Sequence, residues 1–255
     1  MRASLTIARH ELRLLRRDPL PVAVLAAMPL ILMAFTQPTY RQVLEAEGRV
    51  GVTGAEQAVP GMTVMFTLFL VAQVGFAFFR DHGWGTWERL RAAPISPAAL
   101  LVGKAAAPMA ICTAQAGLLF ALGGLFFGLQ VRGSALALAA LVGAYAACLV
   151  LLGLALVSLC RTVMQLNSAA SILALALAGL GGALVPISSL PAWARWLAPA
   201  TPSYWAMRGF SAVILDGADL TGVAAPLAGL LLSALALGLV VALRFRIDQS
   251  KVWWP

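Results

Sequence analysis

The sequence predicts an all-α integral membrane protein with six membrane-spanning helices. Hydrophobic residues make up 61% of its 255 residues and charged residues only 11%, whereas about 25% of the residues in a soluble domain are charged. Such a chain cannot cover a water-soluble globule with polar surface, so its apolar segments must face lipid. A span needs roughly 17–25 apolar residues. The runs of that kind cover 20–36, 61–79, 105–129, 134–159, 166–185 and 223–243.

The positively charged residues indicate how these spans are oriented. Thirteen of the 18 Lys and Arg residues fall in one set of alternate loops and termini, and five fall in the other set. Cytoplasmic loops carry the excess of Lys and Arg in membrane proteins. We therefore expect a multi-pass protein of the plasma membrane, with both termini and the 80–104 segment in the cytoplasm and the 37–60 and 186–222 segments outside.

The segment before the first span has the pattern of an amphipathic helix. Leu5, Ala8, Leu12 and Leu15 recur at helical spacing, and the arginines of this segment line another face. Such a helix lies in the headgroup layer, with its arginines on anionic lipid. The sequence therefore predicts an interfacial helix over residues 1–18.

Several classes of chemistry are excluded by what the sequence lacks. All 18 basic and 10 acidic residues are expected in loops, in termini or at span ends. Proton-coupled transporters and intramembrane enzymes need ionisable groups inside the membrane. The two histidines and three cysteines form no ligand cluster, so no metal site is expected. The dispersed basic residues do not form a nucleic-acid-binding pattern. There is no GxxxxGK[ST] motif, so ATP cannot bind this chain through a P-loop.

The charged 80–104 segment is the strongest functional signal. Gly83 and Gly85 permit a turn after the second span, and Thr86 has the chemistry of a helix N-cap. Pro94 then ends any helix, and Ser96 with the proline after it starts the next element. The pattern predicts one short helix from Trp87 to about residue 92, lying across the cytoplasmic ends of two spans.

Two tryptophans in this segment have two interpretations. Trp84 and Trp87 fill a socket on a cytoplasmic partner, as exposed aromatics do in interfaces. Alternatively, they are interfacial residues of the membrane boundary. Local chemistry does not decide between these alternatives.

The run GTWERLRAAPIS…LLVGK resembles the coupling segment of type 2 ABC-transporter permeases. The matching residues are Gly85, Thr86, Glu88, Arg89, Leu90, Pro94, Gly103 and Lys104, with Asp81 as the upstream acidic residue. Two further stretches are similar to the same family, in order along the chain. ARHELRLLRRDPLPVAVLAAMPLILMAF resembles its entry helix and first span, and GGALVPISSLPAWARWLAPATPSYWAMRGF resembles its outer segment after the fifth span. The overall pattern looks nearest to the daunorubicin-resistance branch.

The resemblance implies a pore half that works as a dimer with a second, identical chain. Two copies of a cytoplasmic ATPase subunit would hold the ATP and Mg, with no cofactor bound by this chain. The outer 186–222 segment would fold into two half-helices that dip back into the membrane. The implied ATPase-coupling residues are Asp81, Trp84, Gly85, Thr86, Trp87, Glu88, Arg89, Leu90 and Pro94.

The cargo and its pathway are weakly encoded. Gln73, Gln115 and Asn167 have the polarity to line a passage, although hydrogen bonding between helices is a common use of such residues. Phe69 and Phe76 would stack on an aromatic drug or face lipid. The resemblance favours export of a hydrophobic small molecule or drug over a polysaccharide or lipid-linked glycan. A membrane scaffold that docks a partner without transport is the alternative from another class.

Overall fold

The computed structural model describes residues 20–92 and 96–245, and the regular structure within these ranges is helical. The predicted interfacial helix over 1–18 and the predicted helix stop at Pro94 lie outside the described residues. Two short 3₁₀ turns, Ile187–Ser189 and Ala198–Ala200, lie in the outer segment. The α-helices are α1 (Leu20–Ala46), α2 (Ala55–Phe69), α3 (Val71–Gly83), α4 (Trp87–Ala92), α5 (Pro97–Phe127), α6 (Ala135–Leu159), α7 (Val163–Leu180), α8 (Ala192–Leu197), α9 (Pro202–Leu215) and α10 (Ala224–Arg244).

Within the described residues, five stretches of helix are long and apolar enough to cross a membrane. They are Ala55–Gly83 (α2 with α3), Ala98–Phe127, Ala135–Leu159, Val163–Leu180 and Ala224–Arg244. Helix α1 has 27 residues, which corresponds to about 40 Å at 1.5 Å per residue, and it contains the predicted first span. Helix α1 is not one of these five stretches, so the count of six spans stays a prediction.

Two helices begin well before the apolar runs that predicted them. Helix α2 begins at Ala55 because the Glu56 carboxylate accepts hydrogen bonds from the amides of Thr53 (3.1 Å) and Gly54 (2.9 Å), which caps the helix. Helix α5 begins at Pro97 because Ser96 Oγ accepts from Ala99 N (3.2 Å) and proline suits the first helical position. The last part of the 80–104 segment, from Pro97 onward, is therefore helical.

The expectation that charged residues lie in loops, termini or span ends is corrected at Lys104. This residue is the eighth of α5 and is 2% exposed. Glu56 is also buried inside a helix, at 5% exposed, although it lies in the first turn. Burial of each charge is possible because each has hydrogen-bonding partners, Glu56 with backbone amides and Lys104 with Asp81 and a carbonyl.

The regular helix of the second span is interrupted at Leu70, between α2 and α3. Leu70, between the two helices, keeps a right-handed helical conformation, and its amide donates to Thr67 O (3.1 Å), three residues back. The Thr67 hydroxyl donates to Thr63 O (2.6 Å). A threonine that bonds to the preceding turn in this way bends a helix, which accounts for the irregular turn at this position.

Helix α6 is at the centre of the bundle and packs against α10, α3, α9 and α5. Its side chains Leu141, Cys148 and Leu149 are fully buried. The approach to α3 is close: a Cβ atom added at Gly153 would lie 2.6 Å from Val74 Cβ. Glycine at this position lets the two helices pack without a gap, as small residues do between membrane helices.

The loops predicted to lie outside meet at one end of the bundle. The Gly133 amide, between α5 and α6, donates to Val213 O at the end of α9 (2.9 Å). Arg49, between α1 and α2, pairs with Asp216 after α9 (2.7 Å). At the other end, Phe245 after α10 packs against Phe78 of α3, with 6.0 Å between ring centroids. The alternation of loops is therefore internally consistent, and the side that faces the cytoplasm stays a prediction.

The outer segment folds into two helical pieces separated at Thr201. The first contains α8 and the 3₁₀ turn after it, and the second is α9. Helix α9 packs against α10, α6 and α2, and its Phe210 and Ile214 side chains are fully buried. Trp196 of α8 is 81% exposed. The insertion of these pieces into the membrane as re-entrant half-helices stays a prediction.

Candidate functional site

The candidate site is the corner formed by the end of α3, the short helix α4 and the start of α5. Helix α3 ends at Gly83, and Gly85 turns the chain with a positive φ of 67°, a conformation that glycine adopts without strain. The following helix occupies Trp87–Ala92, which matches the range predicted from the sequence. Leu90 lies within this helix, and Pro94, the predicted stop, lies outside the described residues.

Trp87 anchors α4 to its own chain. The indole is 5% exposed, stacks on His82 with 4.3 Å between ring centroids, and contacts Phe78 at 6.3 Å. This corrects the interpretation that Trp87 fills a socket on a partner, because its socket is the end of α3. Phe78 and His82 are four residues apart and share one face of α3, so this spacing was the sequence signal for the socket.

Trp84 has the opposite placement. It is 65% exposed, and the Arg80 guanidinium lies 5.4 Å from its ring centroid, a cation–π distance. Of the two tryptophans, Trp84 is therefore the one presented to a partner or to the membrane boundary.

Asp81 and Lys104 form an ion pair beneath this corner. Lys104 Nζ also donates to Ala77 O (3.0 Å) and lies 5.2 Å from the Phe78 ring centroid. The Lys104 side chain is 2% exposed and the Asp81 side chain is 13% exposed, so water competes little for either charge. The pair therefore joins the end of α3 to α5 across the site.

Thr86 is bonded to Asp81 across the turn before α4. Its hydroxyl donates to Asp81 Oδ1 (3.2 Å), and its amide donates to Asp81 O (3.0 Å). Thr86 therefore closes the turn before α4, and its role as the N-cap of α4 stays a prediction.

Glu88 and Arg89 lie on the exposed side of α4. With Trp84 they form a surface of one acidic, one basic and one aromatic side chain, which we call the α4 face. The residues behind this face, Asp81, Thr86, Trp87 and Lys104, hold it on the ends of α3 and α5. The α4 face is therefore connected to two spans through buried contacts.

The five candidate pathway residues differ in their exposure on this single chain. Gln115 is 7% exposed and lies inside the protomer, which corrects its placement on a passage wall of this single chain. Phe76 is partly buried against the core. Phe69, Gln73 and Asn167 are exposed.

The helices that carry Gln73 and Asn167, α3 and α7, pack side by side. A Cβ atom added at Gly75 of α3 would lie 2.2 Å from Leu166 Cδ2 of α7. Gln73 and Asn167 are therefore carried by two helices in direct contact.

In the sequence, Lys104 stands out only as a position of the family resemblance and as a positive charge. The sequence signal for its burial was a basic residue inside a helical apolar run, seven residues after the proline that begins the run. The pairing with Asp81 is not visible locally, because 23 positions separate the two residues.

A comparison with protein-family models finds a match that covers most of this chain. The matching model, described as ABC-2 type transporter, covers residues 3–215. No curated protein matched the chain in the corresponding search.

Proposed function

The chain belongs to the ABC-2 type transporter membrane family, and on that premise we propose that it forms one half of the pore of an ATP-driven exporter. As a member it is a permease component of an ABC transporter, not the nucleotide-binding subunit, and such permeases usually work with a cytoplasmic ATPase subunit. We further propose that transport is export, that the membrane is the plasma membrane, and that the partner is two copies of the ATPase subunit.

The observation that carries the proposal is how α4 is held. A helix of six residues is not stable alone in water, so its position depends on the Trp87 socket and on the Asp81–Lys104 pair. An ATPase subunit that grips the α4 face would move α3 and α5 with it. Such a lever couples nucleotide-driven closure to a change between two arrangements of the spans.

A second copy of the chain is proposed from the exposed polar side chains of the spans. Gln73 on α3 and Asn167, Ser168 and Ser171 on α7 are exposed on this single chain. Polar groups inside membranes face other helices or water-filled cavities rather than lipid. A second identical chain that covers this surface would place these residues at or beside the passage.

The cargo that these surfaces suit is a hydrophobic small molecule. Phe69 is 39% exposed and lies one turn from Gln73, so an aromatic wall adjoins a polar group on the α2–α3 span. This combination favours a drug-like compound, as in the daunorubicin-resistance branch, over a polysaccharide chain, which would need many hydroxyl contacts.

The test is reconstitution of the chain with the cytoplasmic ATPase that co-purifies with it. We expect the permease alone to hydrolyse no ATP, and the complex to hydrolyse ATP faster when a hydrophobic cargo is added. Glu88→Ala and Arg89→Ala are expected to lower that stimulation several-fold while the chain still inserts in the membrane. Wild-type stimulation in both variants would contradict the coupling role of the α4 face.

A further inference from the structure

An open cleft of about 700 Å³ lies at the predicted outer end of the bundle, away from the α4 face. It is bounded by the end of α1, the start of α2, the turn after α7, α9 and the start of α10. A volume of this size is within the range of small-molecule sites, roughly 300–1,000 Å³.

The cleft has both polar and apolar walls, and the apolar side chains come from several elements. Leu44, Ile187, Met207, Leu215 and Pro226 line it. These side chains come from four separate elements, so the apolar lining exists only in the folded chain. An alkyl chain or a ring placed between them would be removed from water, which favours binding.

Of the four charged side chains that line the cleft, Arg208 is held less closely by its neighbours than Glu47, Arg49 and Asp216 are. Glu47 accepts a hydrogen bond from the Ser188 hydroxyl, and Arg49 pairs with Asp216 at 2.7 Å. Arg208 has a long contact to the Tyr204 hydroxyl (3.5 Å) and lies 5.9 Å from the Trp205 ring centroid.

Throughout residues 20–92 and 96–245, no carboxylate lies within 4.0 Å of the Arg208 side chain. A guanidinium pairs best with a carboxylate or phosphate, through two parallel hydrogen bonds. The cleft therefore presents apolar walls beside a cation with no anionic partner from the described chain.

We propose that this cleft binds an anionic amphiphile, with the acidic group on Arg208 and the apolar part between Met207 and Leu215. A cationic ligand would be repelled by Arg208, and the two carboxylates of the cleft, Glu47 and Asp216, already have partners. A neutral sugar would leave the apolar walls unfilled. An anionic phospholipid of the outer leaflet and an acidic cargo that has left the passage share this chemistry, and the experiment separates them.

The first test measures binding of decyl phosphate to the full chain in a neutral maltoside detergent, by isothermal titration calorimetry. We expect saturable binding that Arg208→Gln weakens at least about tenfold, because a charged hydrogen-bonding pair is lost. The matched control is Arg195→Gln, since Arg195 is an exposed arginine of α8 outside the cleft, and it should bind as the wild type does. Equal binding by Arg208→Gln and wild type, or equal loss in both variants, would overturn the site.

A second variant tests the cleft itself while Arg208 stays in place. Ser211 lines the cleft and is partly buried, so Ser211→Phe should fill the space and abolish binding of decyl phosphate. If Ser211→Phe binds as tightly as the wild type, Arg208 acts only as a surface charge and the proposal fails. Monodisperse elution from a size-exclusion column shows that each variant is folded. The Ser211→Phe test is independent of the Arg208→Gln test.

Native mass spectrometry then identifies the source of the ligand. The chain is released from nanodiscs that contain equal amounts of phosphatidylglycerol and phosphatidylcholine. Retention of phosphatidylglycerol that Arg208→Gln abolishes supports a lipid ligand. Binding of decyl phosphate without retained lipid supports a free amphiphile, and absence of both overturns the proposal. None of these measurements uses the ATPase subunit, so their failure leaves the exporter proposal standing.

Discussion

Lys104 of α5 and Asp81 of α3 are joined as a buried ion pair directly behind the short helix α4. The same aspartate accepts hydrogen bonds from the Thr86 hydroxyl and amide, and Lys104 reaches Ala77 O. One pair of side chains thus connects two spans and the turn that leads into the α4 face. This arrangement makes Asp81 and Lys104 positioning residues for whatever protein grips α4.

Breaking this pair from one side is expected to destabilise the protein strongly. Lys104→Met leaves the Asp81 charge buried without its partner, and Asp81→Asn leaves the Lys104 charge in the same state. Each should lower the unfolding free energy by about 3–5 kcal/mol. Thermal unfolding in detergent, followed by tryptophan fluorescence, measures the loss.

The double variant Asp81→Asn with Lys104→Met is the control for this prediction. Asparagine still accepts the Thr86 hydrogen bond and neither buried charge remains, so the double variant should lose much less than the sum of the single variants. Additive losses would show that the two residues stabilise the protein independently of each other.

The two tryptophans of the corner are expected to respond in opposite ways. Trp87→Ala removes a side chain that is 5% exposed and should lower stability by about 3–5 kcal/mol. Trp84→Ala changes a side chain that is 65% exposed, and stability should stay within about 0.5 kcal/mol.

Co-purification with the ATPase subunit distinguishes the roles of these tryptophans further. We expect Trp84→Ala to weaken that association although the permease is fully folded. A Trp84→Ala protein that binds the ATPase as the wild type does would favour the membrane-boundary role for this residue.

Two glycines of α6 provide a matched pair for helix packing. A Cβ atom at Gly153 would lie 2.6 Å from Val74 Cβ, whereas one at Gly143 meets no atom within 4 Å. Gly153→Ala should therefore destabilise the α3–α6 contact by about 1–3 kcal/mol. Gly143→Ala should be neutral or stabilise by up to about 1 kcal/mol. Thermal unfolding of both variants is the measurement, and similar shifts would argue against close packing at Gly153.

The polar face of α7 is expected to lie against a second copy of the chain. Ser171→Cys should cross-link to its counterpart in native membranes treated with a short bis-maleimide. Leu235→Cys on α10, where Leu235 is 69% exposed, is the lipid-facing control and should give little dimer. The native Cys112, Cys148 and Cys160 are buried and are replaced by alanine in the background. A dimer yield from Ser171→Cys no higher than that of the control contradicts this interface.

The orientation of the chain can be tested by labelling cysteines in intact cells. Trp196→Cys, on exposed α8, should react with a membrane-impermeant maleimide added outside. Glu88→Cys on the α4 face should react only after the membrane is permeabilised. Labelling of Glu88→Cys in intact cells would place the α4 face outside and remove the basis for coupling to a cytoplasmic ATPase.

Local patterns predicted much of the candidate site, and long-range contacts account for what they missed. The glycine at 85 placed the start of α4 correctly. The same local patterns left Trp87 either in the socket of a partner or at the membrane boundary, because a tryptophan in a polar segment looks exposed until the end of α3 is folded beside it. Gln115 looked suitable for a passage wall, yet α5 turns it into the protomer.

By itself, the order of residues determined the class of the protein, the approximate position of its helices and the alternation of its loops. These properties follow from hydropathy, charge and turn chemistry, which act over a few neighbouring residues. Only the tertiary structure decided that Lys104 pairs with Asp81, that Trp87 faces inward, and that Arg208 borders a cleft. Those outcomes depend on which helices meet, and residues far apart in the chain acquire partners only when the bundle packs.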